Sequence, residues 1–407
     1  MLFAPMLCML VVMEFVMLPA TAWVGLSGMG IALWRLKSRK RMLEWVTAAE
    51  ADSRRGGFLS ALRRFWYSLP AAAICLVFGG ALLRLAGLFF LALIPLALWS
   101  ARPAAAKKPA LSAAGREQVH TYAAAMWRFY EELCTPEDHY LPPDNLQESP
   151  VWRVAHRTSP TNIGLYLLCV LAARDLGFID VSDMLNRVEN TVATVEKLEK
   201  WKGNLLNWYD TRTLRPLSPR YVSTVDSGNL ACCLVALRQG LLELRDPRGE
   251  ELAARIRALY MAVDLTPLYN KRRALFHIGL DPDTGEASPS YYDLLMSESR
   301  MTGYFAIATR RVSKKHWGAL GRMLAKSAGY VGPVSWTGTM FEYFMPRLLL
   351  PAYEGSMGYE ALRFCLHCQK RRPPRGVPWG VSESGFYAFD SNLNYQYKAH
   401  GVPRLAL

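Results

Sequence analysis

The apolar residues of this chain recur at helical spacing. Between Asp183 and Trp201, the residues Leu185, Val188, Val192, Val195, Leu198 and Trp201 follow at steps of three and four, one stripe of a helix that Gly203 terminates just beyond. Similar patterns cover about 113–134, 162–176, 227–245, 249–261, 291–309, 313–325, 339–350 and 355–370. The chain is therefore expected to be mostly α. Only Leu275–Ile278, ahead of the turn sequence Asp281-Pro-Asp-Thr-Gly285, reads as part of a hairpin. No helix-turn unit of fixed sequence repeats, which disfavours a regular solenoid.

The first hundred residues follow a different rule. Their only acids are Glu14, Glu44, Glu50 and Asp52, and two apolar stretches dominate them. A bilayer crossing needs roughly 20 apolar residues. Residues 1–34 accordingly read as one membrane span ending near Leu18, followed past Pro19 by an interfacial helix. Residues 35–67 form a basic loop, and residues 68–100 a transmembrane hairpin of two short spans, 68–83 and 85–99, joined at Arg84, since a charge is costly at the bilayer centre but cheap at an interface. Residues 101–112, rich in Ala and Pro with two lysines, read as a linker. The basic loop places itself in the cytoplasm. The expected topology is multi-pass in the inner (cytoplasmic) membrane, with lipid as a partner and a soluble domain, 113–407, facing the cytoplasm. The net charge of +14 then reflects topology, and nucleic acid is not expected as a partner.

Eight cysteines show no framework-like spacing, and a cytoplasmic domain keeps them reduced. Cys365-Leu-His-Cys368 is half of a zinc-site pattern without a second half, so no metal is expected. There is no phosphate-cradling Gly-x-x-x-x-Gly-Lys-Ser/Thr, no Gly-x-Gly-x-x-Gly between strand and helix, no His-Glu-x-x-His and no Gly-x-Ser-x-Gly. No cofactor is expected either. Long polar and aromatic loops, 135–160, 203–226, 264–290, 326–338 and 371–396, suggest a common rim around a cleft. They carry Trp152, Arg157, Trp208, Tyr209, Asp210, Arg220, Tyr221, Asp226, Trp336, Trp379 and Tyr395, with Tyr397 just beyond. Flat rings beside carboxylates and guanidinium groups suit a neutral polyhydroxylated substrate. Glycoside chemistry uses two carboxyl groups, one protonated and one ionised.

Seven motifs then stand in order: Tyr140-Leu-Pro-Pro-Asp-Asn145, Arg157-Thr-Ser-Pro-Thr-Asn-Ile-Gly164, Asn207-Trp-Tyr-Asp-Thr211, Pro219-Arg-Tyr-Val-Ser-Thr-Val-Asp-Ser-Gly-Asn229, Tyr291-Tyr-Asp-Leu-Leu295 with Ser297-Glu298, Met340-Phe-Glu-Tyr343, and Val377-Pro-Trp-Gly-Val-Ser-Glu-Ser384. Together with Arg41-Met-Leu-Glu-Trp-Val-Thr-Ala-Ala-Glu50, they resemble the central region of the cyclic β-1,2-glucan synthases across about 35–407. In that family the region is a glucoamylase-like transglycosylase, or cyclising, domain. It lies between a membrane glucosyltransferase and a phosphorylase-like part, both of which the resemblance makes possible partners. The resemblance implies an (α/α)6 barrel preceded by transmembrane helices. Because family members continue for several more helices, the barrel is expected to be incomplete at its C-terminus.

The resemblance implies that linear β-1,2-glucan is the substrate. Glu298 and Glu383 are expected as the catalytic pair, in either order, with Glu342 as a third catalytic candidate. Asp226, Arg157, Asn162, Tyr291, Tyr292 and Asp293, which lie within the motifs, are expected to bind substrate together with the loop aromatics. Two alternatives stand beside the cyclase reading. One is an endo-β-1,2-glucanase-type hydrolase on the same fold, and the other is a non-catalytic, membrane-tethered glucan-binding or remnant module.

Overall fold

The computed structural model describes residues 68–100 and 111–407, except 374, 375 and 377, together with residues 29 and 33. Residues 29 and 33 are helical; the rest of the expected span and interfacial helix in 1–34, the basic loop of 35–67 and residues 101–110 of the linker lie outside the described residues. The chain divides into two compact units, Met1–Leu111 and Ser112–Leu407.

In the first unit, α1 (Ser68–Phe78) and α2 (Ala81–Ser100) form a helical hairpin. The break falls at Gly79-Gly80 and not at Arg84. Consecutive glycines are poor helix formers, whereas Arg84 sits inside α2 with its N–H donating to the Gly80 carbonyl at 2.9 Å. The two helices approach closely at Gly87, where a Cβ would stand 2.8 Å from Leu76 Cγ. Among the described residues no helix is long and apolar enough to cross a membrane, so the expected pair of spans is observed as a helical hairpin only.

The second unit begins with α3 (Ala113–Leu133), α4 (Pro160–Asp175), α5 (Val181–Lys197), α6 (Thr224–Glu243) and α7 (Pro247–Ala262). All five start in the same way. Ser112, Ser159, Asp180, Ser223 and Asp246 each accept a hydrogen bond from the backbone N–H three residues on, satisfying a donor that the first turn would leave orphaned. Further along stand α8 (Arg300–Ala308), α9 (Lys315–Ala319), α10 (Met340–Phe344) and α11 (Met357–Arg371).

Helix α6 packs against α4, α7 and α8, while α5 packs against α4 and α7. Thus α4, α6 and α8 form a row, backed by α5 and α7 in successive helix pairs. Burial follows this order. Helix α5 buries one stripe that includes Met184, Leu185, Val188, Val192 and Val195, whereas α6 buries Val225, Gly228, Asn229, Leu230, Cys233, Leu234 and Leu237, which are spread around its axis. Small residues let the row close up. A Cβ on Gly228 would fall 1.8 Å from Thr302 Oγ1 in α8, and one on Gly164 would fall 3.0 Å from Cys233 Cβ.

Several expected helices are shorter than their patterns. The stripe of 183–201 ends at Lys197, because Lys200–Trp201 pairs with Asn204–Leu205 around a turn in which Lys202 and Gly203 both have positive φ. The stretch 291–309 is helical only from Arg300. Tyr291–Tyr292 instead pairs with Phe276 and His277 in a three-stranded sheet, which confirms strand structure at Leu275–His277. Of 313–325 only Lys315–Ala319 is helical, and Leu324–Ser327 pairs with Tyr330–Pro333 around Ala328-Gly329, again both at positive φ. In 339–350, Pro346 follows the short α10, and the chain tightens into a 3₁₀ turn over Met345–Leu348.

A second core gathers Leu295, Met296, Leu320, Tyr343, Phe364, Cys365, Cys368, Val402 and Leu405. Cys365 and Cys368 are packing residues within it, as helical i, i+3 spacing allows. Replacing Gly228 by Ala is expected to destabilise the domain by about 1–3 kcal/mol through overpacking. Gly318→Ala, which would place its Cβ in open space, is expected to leave the melting temperature unchanged or slightly raised. Thermal melts followed by circular dichroism check both.

Candidate active site

Carboxylates collect where helices of the row begin. The first turn of α4 supplies Thr161 and Asn162, the first turns of α6 supply Asp226 and Asn229, and the turn leading into α8 supplies Glu298. Thr161 Oγ1 donates to Asp226 Oδ1 at 2.6 Å. Asn229 Nδ2 reaches Thr161 Oγ1 at 3.2 Å and Glu298 Oε2 at 3.4 Å. The Asn207 amide, oriented by its neighbours, donates to Asp226 Oδ2 at 3.1 Å and accepts from Trp208 Nε1 at 3.1 Å.

Glu298 is the most perturbed acid of the group. Burial, reinforced by the negative charges of Asp226, Glu383 and Glu342, pushes its carboxyl from 4.5 up to about 8, against the single opposing hydrogen bond from Asn229. It therefore holds its proton at neutral pH. Glu383 stands at the base of a hairpin in which Glu383–Phe389 pairs with Tyr395–Ala399. Its Oε1 accepts from Thr339 Oγ1 at 2.8 Å and its Oε2 from Ser382 Oγ at 2.7 Å.

Glu342, the third catalytic candidate, is the most enclosed of the acids. It is buried, 8% exposed. It accepts from Ser335 Oγ at 2.8 Å, Thr337 Oγ1 at 2.7 Å, Thr337 N at 3.1 Å and Thr339 N at 3.3 Å. With Thr339 it forms the capping box of α10. Its Oε2 is bonded throughout by the 335–339 turn, which also presents Thr339 to Glu383, whereas its Oε1 has one long contact, from Thr337 N at 3.4 Å.

The ring hydroxyls of Tyr292 and Tyr397 are both raised by burial and then by carboxylates, Glu298 and Asp226 for Tyr292, and Glu383 and Glu298 for Tyr397, whose value reaches about 12. Tyr221 is raised by burial and by Asp226. All three hydroxyls thus lie within electrostatic reach of the acids. A neighbouring cluster joins Asp144 to Arg157, at 2.9 and 3.2 Å, and to Asn162 Nδ2 at 3.4 Å. The Arg157 guanidinium lies over Trp208, 5.3 Å from the ring centroid. Tyr395 adjoins this cluster, its hydroxyl raised by burial and by Asp144.

Other expected site residues are engaged elsewhere. Tyr209 is fully buried, its hydroxyl donating to the Glu199 carbonyl at 2.6 Å, so it offers no surface to a ligand. Asp210 closes its own turn through Thr213 N at 2.7 Å and Arg212 N at 3.0 Å. Arg220 pairs with Glu199 and Asp283. Tyr291 is bonded by Asn270 and covered by Arg273, and Asp293 is exposed, its carbonyl accepting from Gly321. Trp152, Trp336 and Trp379 are exposed, the last beneath Lys370. The sequence reading missed Thr161, Asn207, Asn229, Asp144, Thr339 and Ser382. Five of them lie inside the quoted motifs, and short polar residues at first helical turns or turn ends were the available signal. Among the described residues, no group of three or more His, Cys, Asp or Glu is disposed to hold a metal ion.

Because Glu298 binds a proton more tightly in the folded than in the unfolded chain, its contribution to stability is full below pH 4.5 and is lost as pH rises through about 8. Glu298→Gln is therefore expected to remove up to about one proton, ~1.4 kcal/mol per pH unit, from the slope of unfolding free energy across that window. Urea titrations at a series of pH values check this. An unchanged slope would contradict the assignment.

No family model matches the chain. By sequence it is 31% identical to the cyclic beta-(1,2)-glucan synthase NdvB of Rhizobium meliloti, over an alignment of 505 positions that covers 91% of this chain and 18% of the relative. The chain thus spans about a fifth of the length of that relative. By structure it is similar to a glucoamylase-like protein of Bacteroides fragilis, with TM-score 0.57, 18% identity, and coverage of 74% of this chain and 75% of that one. It is also similar to an endo-β-1,2-glucanase of Chitinophaga pinensis solved with sophorotriose and glucose, with TM-score 0.54, 16% identity, and coverage of 72% and 75%. A third likeness is the endo-β-1,2-glucanase of Talaromyces funiculosus solved with sophorose, with TM-score 0.55, 14% identity, and coverage of 71% and 70%. The chain resembles one part of a cyclic β-1,2-glucan synthase, built on the mostly helical fold of the glucoamylase-like proteins.

Proposed function

We propose that this chain is the transglycosylating region of a cyclic β-1,2-glucan synthase, cleaving linear β-1,2-glucan and passing the glycosyl unit to a sugar hydroxyl. The observation that carries this reading is the unequal pair of acids. Glu298 is held protonated by burial beside Asp226, and Glu383 accepts hydroxyl hydrogen bonds at both oxygens. Glycoside chemistry asks for that division between a proton donor and an acceptor carboxylate.

In the proposed sequence Glu298 gives its proton to the glycosidic oxygen as the bond to C1 breaks, and a Glu383 oxygen bonds to C1. The shortened chain leaves with the proton. An incoming sugar hydroxyl then attacks C1, returns its proton to Glu298 and displaces Glu383. When that hydroxyl belongs to the other end of the same chain, the product is a ring. Asn229 holds the Glu298 carboxyl, while Thr339, backed by Glu342, and Ser382 hold that of Glu383. Tyr292, half-buried and within electrostatic reach of Glu298 and Asp226, helps exclude water from the space between, which favours a sugar acceptor over hydrolysis.

A hydrolase reading has support in the fold shared with endo-β-1,2-glucanases, and it differs only in the acceptor. The wider setting belongs to the same proposal: attachment to the inner membrane through the apolar segments of 1–34 and 68–100, a catalytic domain facing the cytoplasm, and action alongside the glucosyltransferase and phosphorylase-like parts of a synthase.

Incubation with linear β-1,2-glucan, followed by mass spectrometry and reducing-end assay, is expected to give cyclic or lengthened products without a matching rise in reducing ends. Shorter linear products alone would establish the hydrolase instead. Glu298→Gln and Glu383→Gln are each expected to lower turnover by about 10²–10⁴-fold. Glu342→Ala is expected to lower stability by about 1–3 kcal/mol as Ser335, Thr337 and Thr339 lose their acceptor, checked by thermal melts.

A further inference from the structure

The hairpin that begins at Glu383 reaches a part of the chain nearly 250 positions earlier. At its tip the nearly buried Gln147 uses both ends of its amide. Nε2 donates to the Leu393 carbonyl at 2.9 Å and to that of Val151 at 3.0 Å, and Oε1 accepts from Tyr395 N at 2.8 Å. Arg153 donates to Asn394 Oδ1, and Asn394 Nδ2 to Asp390 Oδ2 at 3.1 Å. Between tip and clasp lies a cavity of about 330 Å³, whose lining includes Asn145, Arg153, Arg157, Tyr395 and Gln396.

We propose that this cavity is a second glucan-binding subsite, holding a glucose unit away from the bond that is cut. Its lining is amide, guanidinium and phenol with one carboxylate, Asp390, and Ala155 is its one aliphatic residue. Such planar groups donate and accept in pairs, as vicinal hydroxyls require, and Tyr395 supplies a ring to lie against. The two arginines spend little of their capacity within the protein: Arg153 makes one hydrogen bond, to Asn394, and Arg157 makes two, to Asp144. Asp144 and Asp390 offset their charge, so the cavity suits a neutral ligand. Its volume lies at the lower end of the ~300–1,000 Å³ range of small-ligand sites.

The proposal rests on the glucan-processing reading, and the test separates the two. Linear β-1,2-gluco-oligosaccharides of increasing length are titrated calorimetrically into the full chain carrying Glu298→Gln, and into the same chain with Asn145→Ala or Gln396→Leu added. Affinity is expected to rise with length to a plateau. Each added substitution is expected to remove the last gain, making long oligosaccharides bind about tenfold more weakly while short ones bind as before. If both variants bind every length like their parent while the unmodified chain still processes β-1,2-glucan, the subsite is overturned and the function stands. If the parent binds no length and the unmodified chain processes no β-1,2-glucan, both fall.

Discussion

Full or partial burial of carboxyl groups without a compensating cation is the constraint around which this domain is arranged. None of Asp226, Glu298, Glu342 and Glu383 forms an ion pair with the described residues. A buried charge in that position is costly, and proteins avoid the cost by neutralising the group or by surrounding it with donors. Both solutions occur here. Glu298 takes a proton, while Asp226, Glu342 and Glu383 take hydroxyl and amide donors from Thr161, Asn207, Ser335, Thr337, Thr339 and Ser382. Short hydroxyl residues therefore crowd the helix starts, where they cap the helix and satisfy an acid at once. Thr339 does both.

The scaffold makes such an arrangement affordable. Helices of the row start toward the acids, and their contacts at Gly164 and Gly228 bring backbones close enough for side chains of one helix to reach the acid of the next. Asn229 of α6 spans from Thr161 of α4 to Glu298 ahead of α8 in this way. Wider spacing would replace these bonds by water and lower the proton affinity of Glu298.

The sequence was most legible where one face of a helix is wet. The stripe of α5 could be read directly, and the five helices from α3 to α7 lie close to their patterns. It was least legible after residue 290, where apolar residues at mixed spacing fill a second core made of short helices, hairpins and irregular chain. There Pro346 and the positive-φ pair Ala328-Gly329 override local periodicity. The site showed the same division. Glu298, Glu383 and Asp226 stood out as acids in motifs and do come together electrostatically. Tyr209 and Asp210 sat in an equally prominent motif yet serve the core and a turn, because residue type alone does not say which way a side chain of a two-residue strand faces.

The segment 400–407 carries none of the chemistry, but it underlies it. Ser335 N donates to the Leu405 carbonyl at 2.8 Å, Leu407 N donates back to the Ser335 carbonyl at 3.1 Å, and Gly401 lies so close to Thr337 that a Cβ would meet its carbonyl oxygen at 1.6 Å. The turn that holds Glu342, and through Thr339 the Glu383 carboxylate, is thus moulded on its far side by this tail. The placement of an acid at position 383 is decided partly by backbone some twenty residues later, so a disturbance of that backbone would register first as a misaimed carboxylate.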